Sequence, residues 1–380
     1  MNFTSAAKAL VITSIGAVAL TACAGGSTIA LPTQEPAPVY VTAPLTGVQY
    51  EETTPEALQL KKPSVACKID NGSEAPRPQS GLNSTDIVFD EMVEGGLTRL
   101  VAIWHSTQPD GIGPVRSIRP MDPDILSSFG GIVCFSGGQQ AFVNMINQAP
   151  VFTASETTEQ GKGTFSRSSD RIAPHNVIVN VQKLASDHPE LTPPAPQFQF
   201  GKDVQTSTAG VSGEAVTKFE VKFPSASALW TPSADGAKWL RTQDGKPLTD
   251  KLDGAQVAAT NVVVLSVKID RSYLDRKYGH IPKTIMVDTG KAWIFSGGKF
   301  VEATWSKASA TSPISPQRLH RRMKAACRSG RSPVKASRDF HKACPNLSTG
   351  GNSSTKSAVN GCRSVVRSFE YHETAPLRSV

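Results

Sequence analysis

The feature that most constrains the fold of this chain is a pair of glycines, Gly95-Gly96, between two apolar runs. Two glycines that link β-type runs are typical of a hairpin. If the turn has two residues, Glu94 faces Leu97. Met92 then faces Arg99, and a slip of one residue would move every side chain to the other face of the sheet. The predicted face carries Val88, Asp90, Met92, Glu94, Leu97, Arg99, Val101, Ile103 and His105.

Arginines and carboxylates concentrate around this hairpin. On the predicted face Arg99 lies diagonally between Asp90 and Glu94, within reach of long side chains. Soon after the hairpin, a segment bracketed by prolines adds Arg116 and Arg119. In a regular strand these two arginines would point to opposite faces, so a shared site needs a bend between them. The pattern suggests a polar or anionic ligand and names no reaction.

The charge of the chain is distributed unevenly. The net charge is +8, yet residues 315–380 hold 13 Lys and Arg against 3 Asp and Glu, whereas residues 1–314 hold 27 against 29. The basic balance therefore belongs to the C-terminal segment, and we expect no nucleic-acid binding by the folded body. A length of 380 residues is enough for two domains with hydrophobic cores.

Residues 1–22 have the pattern of a secretory signal peptide, with an apolar run too short for a comfortable membrane-spanning helix. The run ends in Leu20-Thr21-Ala22-Cys23, which resembles a bacterial lipobox. That resemblance implies cleavage before Cys23, its acylation, and a location at the extracytoplasmic face of the cell membrane. The alternative is an ordinary signal peptide that happens to carry a cysteine. Residues 23–58, rich in Pro, Thr, Ala and Gly, predict a flexible tether.

The rest of the chain predicts an α+β protein. Residues 59–195 predict a mixed α/β domain with an antiparallel hairpin at its core, and residues 214–314 predict a mainly β domain. The proline-rich, polar stretch between them is typical of a linker. Residues 315–380 lack an alternating apolar pattern, which predicts either a disordered basic tail or the product of a frameshift. A genuine basic arm that binds anionic polymers or nucleic acid is the alternative.

Two local features leave alternatives open. Cys67 and Cys134 lie in predicted strands, either as buried thiols, the interpretation that we favour, or as a disulfide formed after export. Gly137-Gly138, between a predicted strand and a helix, form either a simple connection or an anion-binding turn. No CxxC pair is present, and the sequence predicts no metal site and no cofactor.

Six motifs follow one another through the first domain. They are Ile69-Asp70-Asn71, 75–82, Asp86-Ile87-Val88, 93–99, 113–119 and Ala173-Pro174-His175-Asn176. Together with segments 290–293 and 298–305 of the second domain, they resemble the YerB-like family of bacterial lipoproteins, a two-domain family of unknown function. The resemblance implies an exported, lipid-anchored protein and no established reaction. Gln139 departs from the small polar residue expected after the second glycine pair, which weakens the anion-turn interpretation slightly.

The predicted site lies in the charged loops of the first domain. Its ligand-binding candidates are Arg77, Gln79, Arg99, Arg116, Arg119 and Asn176, and its catalytic candidates are His175, Glu94 and Asp90. The arginines would hold a phosphate or carboxylate, so a polar or anionic envelope ligand, or a protein partner, is the first interpretation. A hydrolase of envelope material, with His175 and a carboxylate such as Glu94, is the second. The third is a structural or interaction lipoprotein whose ion pairs only fix loops.

Overall fold

The first domain contains nine strands and four short helices in a computed structural model that describes residues 37–318 and 366–370. The strands are β1 (Tyr40–Thr42), β2 (Gln49–Glu51), β3 (Val65–Asp70), β4 (Ile87–Met92), β5 (Thr98–Trp104), β6 (Ile132–Phe135), β7 (Phe152–Ser155), β8 (Phe165–Arg167) and β9 (Val177–Val179). The helices are α1 (Pro55–Gln59), α2 (Asp122–Leu126), α3 (Gln140–Asn147) and α4 (Val181–Ser186), with 3-10 turns at Leu82–Ser84 and Glu94–Gly96.

A five-stranded sheet in the order β4-β5-β3-β6-β7 organises this domain. β3 pairs antiparallel with β5 and parallel with β6, and all six of its residues are buried. Because side chains alternate along a strand, Cys67 and Leu100 face one core with α4. Ala66 and Val101 face a second core with α2 and α3. Coverage of both faces explains why four of the six residues of β3 are apolar, although the strand also carries Lys68 and Asp70.

The hairpin predicted at Gly95-Gly96 is present, but its register differs from the prediction by one residue. The turn has three residues, 94–96, and both glycines have a φ of 71°, which glycine adopts without strain. Glu91 therefore faces Arg99, where Met92 is predicted. The predicted common face is wrong, because Val88, Asp90 and Met92 lie on the opposite face from Arg99, Val101 and Ile103.

Cys67 and Cys134 form a disulfide, so the preference for buried thiols is wrong. The two residues are direct partners in the parallel pairing of β3 and β6, with their Cα atoms 4.5 Å apart. Such a separation is one that a disulfide can bridge. Both residues are fully buried, so the bond joins the two central strands inside the core.

The second domain is mainly β, and the predicted α+β class of the whole chain is confirmed. Its elements are α5 (Thr208–Ser212), β10 (Glu214–Ala215), β11 (Lys218–Phe223), β12 (Ala226–Pro232), β13 (Trp239–Gln243), β14 (Lys246–Pro247), β15 (Ala258–Ala259), β16 (Asn261–Leu265), β17 (Ile269–Asp275), β18 (Gly279–Thr284), β19 (Thr289–Ser296), β20 (Lys299–Ser306), β21 (Ser315–Arg318) and β22 (Val366–Glu370). Two sheets, β10-β20-β19-β16 and β14-β13-β12-β11-β22, contribute to an aromatic core that includes Phe219, Trp239 and Phe295. β17 and β18 form a separate hairpin.

The predicted tether is too long at its C-terminal end. β1 and β2 form an antiparallel pair, Ala43 and Leu45 beside them are buried, and the side chain of Thr54 caps α1. The signal peptide and Cys23 lie outside the described residues. Within the part of the chain that the structure describes, no helix is long and apolar enough to cross a membrane.

The C-terminal tail also differs from its predicted boundary. β21 pairs antiparallel with β20, and β22 pairs parallel with β11, so two segments after residue 314 belong to the sheets of the second domain. Residues 319–365 and 371–380 lie outside the described residues, and the frameshift stays a prediction.

The two domains share a polar interface. Arg241 of β13 donates a hydrogen bond to Asp90 of β4 at 2.6 Å. Asp250 is 1% exposed and accepts hydrogen bonds from the backbone N–H groups of Gly81 and Asn83, at 2.8 and 2.7 Å. The second domain thereby fixes both the outer strand of the sheet and a loop of the first domain.

Candidate functional site

One irregular segment brings two arginines to the carboxyl ends of the central strands. Residues 114–118 run between β3 and β6, where Arg116 N donates to Lys68 O (2.8 Å) and Ser136 N donates to Arg116 O (3.1 Å). Arg116 of this segment and Arg119 just after it are both close enough to Arg99 for their charges to lower its pKa, although they pair with different carboxylates. Ligands of sheet proteins often bind at this edge of parallel strands.

Asp70, Arg116 and His175 form what we call the open cluster. His175 Nδ1 donates to Asp70 Oδ2 at 2.7 Å, and Arg116 Nε forms an ion pair with the same oxygen at 2.9 Å. The Asp70 side chain is 4% exposed, whereas those of Arg116 and His175 are 19% and 24% exposed. Among the described residues, the Arg116 guanidinium donates no hydrogen bond to the protein, and its buried Nε contacts Asp70 as an ion pair alone. A buried carboxylate thus orients two side chains that reach the surface.

Glu94, Arg99 and Arg119 form what we call the closed cluster. Arg119 binds both carboxylate oxygens of Glu94, with Nε 2.8 Å from Oε2, and Arg99 Nη2 donates to Oε1 at 3.1 Å. Burial opposes the ionisation of Glu94, but the hydrogen bond from Arg119 and the charges of both arginines outweigh it and lower its pKa to about 2. Burial and repulsion by Arg119 lower the pKa of Arg99 to about 10. The cluster has a net charge of +1, and its arginines donate to Glu94 and to the backbone carbonyls of Ser117 and Ile118.

Lys68, Glu91 and Asp122 form a buried triad next to the closed cluster. Lys68 Nζ donates to Glu91 Oε2 at 2.7 Å and to Asp122 Oδ1 at 2.6 Å, and no member is more than 4% exposed. Asp122 also accepts from Arg119 N at 2.6 Å. Burial and the charge of Asp122 raise the pKa of Glu91, whereas Lys68 lowers it. Burial is the largest effect, and the resulting pKa is about 8. Sequence reasoning missed this triad, although a lysine within the apolar strand β3 was a signal for it.

Gln79 and Arg77 brace the loop that follows β3. Gln79 is fully buried, and its Nε2 donates to Asp70 O and Asn71 Oδ1, both at 3.0 Å. Arg77 donates to Asn71 O at 3.1 Å and pairs with Asp244 of the second domain at 2.8 Å. These two predicted ligand-binding residues therefore support the backbone beside the open cluster, although Arg77 Nε and Gln79 Oε1 are buried without a hydrogen-bond partner among the described residues.

The remaining candidates occupy other places. Asn176 Oδ1 accepts from Arg167 at 2.9 Å, and Asp90 pairs with Arg241 across the domain interface. The predicted partnership of His175 with Glu94 is wrong, because the carboxylate beside His175 is Asp70. Asp70 was part of a recognised motif, but it lies 105 residues before His175 and no local spacing links them.

A cavity of about 320 Å³ opens beside the open cluster. Its lining residues are Ala75, Ser169, Asp170, Arg171, Ile172 and His175. Arg171 donates to the carbonyl oxygens of Pro76 and Pro78, which holds the loop before His175 against the loop after β3. The cavity therefore combines the histidine of the open cluster with a second arginine and an exposed apolar side chain.

The turn at Gly137-Gly138 leads into α3, as the sequence predicts, but its surroundings do not require a ligand. Gln139 precedes the helix, and its Nε2 donates to Asp275 Oδ2 of the second domain at 2.6 Å. Within the described ranges, no group of three or more His, Cys, Asp or Glu side chains is placed to hold a metal ion.

Comparison with known proteins identifies the family of the chain. Residues 45–193 match the N-terminal domain, and residues 219–323 the C-terminal domain, of the "Protein of unknown function (DUF3048)" family. The chain is 26% identical to "Putative lipoprotein YerB" of Bacillus subtilis (strain 168) over 276 residues, which cover 70% of this chain and 78% of that protein. The fold is similar to the crystal structure of the YerB protein from Bacillus subtilis, with a TM-score of 0.61, 21% identity, and coverage of 73% of this chain and 92% of that one. The chain therefore belongs to the two-domain, YerB-like DUF3048 family.

Proposed function

We propose that this protein is an exported, lipid-anchored protein of the cell envelope whose first domain binds an anionic ligand. The Bacillus relative is named "Putative lipoprotein YerB", and the Leu20-Thr21-Ala22-Cys23 motif supports a lipid anchor in this chain. Acyl chains on Cys23 would hold the body at the extracytoplasmic face of the cell membrane.

The observation that carries ligand binding is the geometry of the open cluster. The ion pair with Asp70 involves Arg116 Nε without hydrogen-bond geometry, and the side chain of Arg116 is 19% exposed, so its terminal donors stay available to a ligand. A guanidinium fork matches the oxygen pairs of a phosphate or carboxylate, and a buried carboxylate that fixes it reduces the entropy lost on binding. In this proposal Arg116 contacts the anion, His175 in its protonated form contributes a second donor through Nε2, and Asp70 positions both.

Binding is tested by titration calorimetry with two probes, inorganic phosphate and polyglycerol phosphate. Removal of charge-assisted hydrogen bonds should weaken binding of the recognised probe about tenfold or more in Arg116→Ala. Arg276→Ala is the matched control, because Arg276 is exposed in the second domain and makes no contact with this cluster. Equal affinities of Arg116→Ala and the unaltered protein, or no binding of either probe, would contradict the proposal.

The anchor is tested separately by fractionation of cells that express Cys23→Ala. We expect loss of the acyl label and release of the protein from the membrane fraction, because no acyl chain can then be attached. An unchanged membrane fraction that still carries the label would contradict the anchor. This result is independent of ligand binding.

A hydrolase is the second candidate, and the contact between Asp70 and His175 favours it. A carboxylate that accepts a hydrogen bond from Nδ1 fixes the tautomer and leaves Nε2 as a base, as in the dyads of many hydrolases. The cavity of about 320 Å³ beside His175 could hold a substrate group. If the protein releases products from polyglycerol phosphate or muropeptides, His175→Gln should lower the rate about 10²–10⁴-fold. No turnover by the unaltered protein would eliminate this candidate.

A further inference from the structure

The β17–β18 hairpin of the second domain packs along its length and is exposed at its tip. In the middle of the hairpin, where Tyr273 pairs with Ile281, Ile281 is 1% exposed and Tyr273 packs edge-on against Phe142, with the ring centroids 5.6 Å apart. Lys283 forms an ion pair with Asp124 at 2.9 Å. These contacts belong to the second core of the first domain, so the hairpin projects from a well-packed support.

The turn at the tip is held by a single carboxylate. Asp275 Oδ1 accepts hydrogen bonds from the backbone N–H groups of Lys277 and Tyr278, at 2.7 and 2.8 Å. Asp275 Oδ2 accepts from Gln139 at 2.6 Å. Because both oxygens are engaged with neutral donors, this carboxylate makes no ion pair with the cations of the tip.

The tip presents cations beside apolar side chains. Residues 276–280 are all exposed, and Leu274 and Tyr278 are 71% and 53% exposed. Neither Arg276 nor Lys277 has a carboxylate partner among the described residues, and Lys277 Nζ lies 4.9 Å from the ring centroid of Tyr278. Two uncompensated cations next to a leucine and a tyrosine match a membrane interface, where the apolar parts enter the acyl boundary and the charges meet headgroup phosphates.

We propose that this hairpin tip docks on an anionic membrane surface. The proposal rests on the proposed lipid anchor, since acylated Cys23 would keep the body close to lipid. Even fully extended, residues 24–38 span only about 55 Å. Within that distance a weak contact is populated, because the tether supplies a high effective concentration of membrane. Docking through the tip would then fix how the body is oriented on the bilayer.

Vesicle sedimentation tests the contact with the mature chain from residue 23, carrying Cys23→Ser so that no acyl chain contributes. The vesicles are phosphatidylcholine with and without phosphatidylglycerol. Each cation near an anionic surface contributes about fivefold in partitioning, so Arg276→Gln/Lys277→Gln should lower binding to the anionic vesicles about 25-fold. Lys202→Gln/Lys238→Gln is the matched control with the same change in net charge, and its binding should stay close to that of the parent chain.

Insertion of the tip is tested with Tyr278→Trp in the same chain. Acyl chains brominated near the headgroup should quench the emission of the added tryptophan on anionic vesicles, while the parent chain reports the background. Equal losses in the tip pair and the control pair would overturn the proposal, because binding would then follow net charge, including that of the basic tail. An added tryptophan that is not quenched would also overturn it. The fractionation of Cys23→Ala judges the anchor separately.

Discussion

The open and closed clusters contain the same kinds of side chain at one end of the same sheet, yet they use their charges differently. In the closed cluster Glu94 is shared by two arginines, and no side chain is more than 14% exposed. In the open cluster Asp70 holds Arg116 and His175 through one oxygen, and both keep donors near the surface. An arginine in such a region is a ligand candidate only when its N–H donors are not already bonded to other groups of the protein.

The largest effect should come from the buried triad, whose three charged side chains are even less exposed than those of the closed cluster. Lys68→Met removes the cation between Glu91 and Asp122 and should cost about 3–5 kcal/mol in the free energy of unfolding, because a buried charge is left unpaired. Urea unfolding at pH 7 measures it. The double variant Lys68→Met/Asp122→Asn should recover part of the loss. A cost below about 1 kcal/mol, typical of a surface pair, would contradict the description of the triad.

The closed cluster should be the next most sensitive. Glu94→Gln leaves Arg99 and Arg119 without their shared carboxylate and should cost about 3 kcal/mol at pH 7. Glu156→Gln is the control, since it removes a carboxylate from a more exposed pair with Arg167 and should cost about 1 kcal/mol or less. Similar losses in the two variants would remove the distinction between closed and exposed pairs.

Acid should weaken the closed cluster in a defined direction. Because folding lowers the pKa of Glu94 to about 2, its stabilisation is complete above its ordinary value of 4.5 and is lost as the pH falls through 2. Allowing for partial exposure, the loss should be about 2 kcal/mol between pH 5 and pH 2. Unfolding free energies at several pH values should therefore fall less steeply in Glu94→Gln. Parallel profiles would show that another carboxylate dominates this range.

The open cluster should contribute least to stability. Arg116→Ala removes a partly exposed cation whose terminal nitrogens have no partner in residues 37–318, and its cost should be about 1 kcal/mol or less. Thermal unfolding without added ligand is the measurement. Together with the weaker binding expected for the same variant, a small cost would separate a ligand-contacting arginine from a structural one. A loss of unfolding free energy as large as that of Glu94→Gln would show that Arg116 mainly stabilises the fold.

The sequence predicted what depends on local pattern. The glycine pair predicted the hairpin, and the apolar runs predicted the strands on both sides of it. Its register was missed because Glu94 joins the two glycines in the turn, and a change of one residue in loop length exchanges the faces. The carboxylate of Glu94 therefore lies in a turn, where it reaches both Arg99 and Arg119.

What the sequence could not predict depends on residues far apart in the chain. Asp70 and His175 meet because residues 114–118 and the loop before β9 converge on the end of β3, and no spacing rule encodes that convergence. The disulfide between Cys67 and Cys134 depends on the parallel pairing of β3 and β6. The sequence of either strand alone does not show that the two are neighbours in the sheet. Tertiary pairing likewise recruits residues 40–51, which their composition alone assigns to a tether.

The burial of the Cys67–Cys134 disulfide also requires that the bond forms before the first domain has finished folding. Both sulfurs are fully covered in the folded state, so an oxidising enzyme can reach the thiols only before the two central strands close over them. In the proposed export, a reducing cytosol would not supply that oxidation, so the core of the first domain would be completed after translocation, while the chain is still open. Once closed, the same burial keeps the bond away from thiol reductants for as long as the domain stays folded.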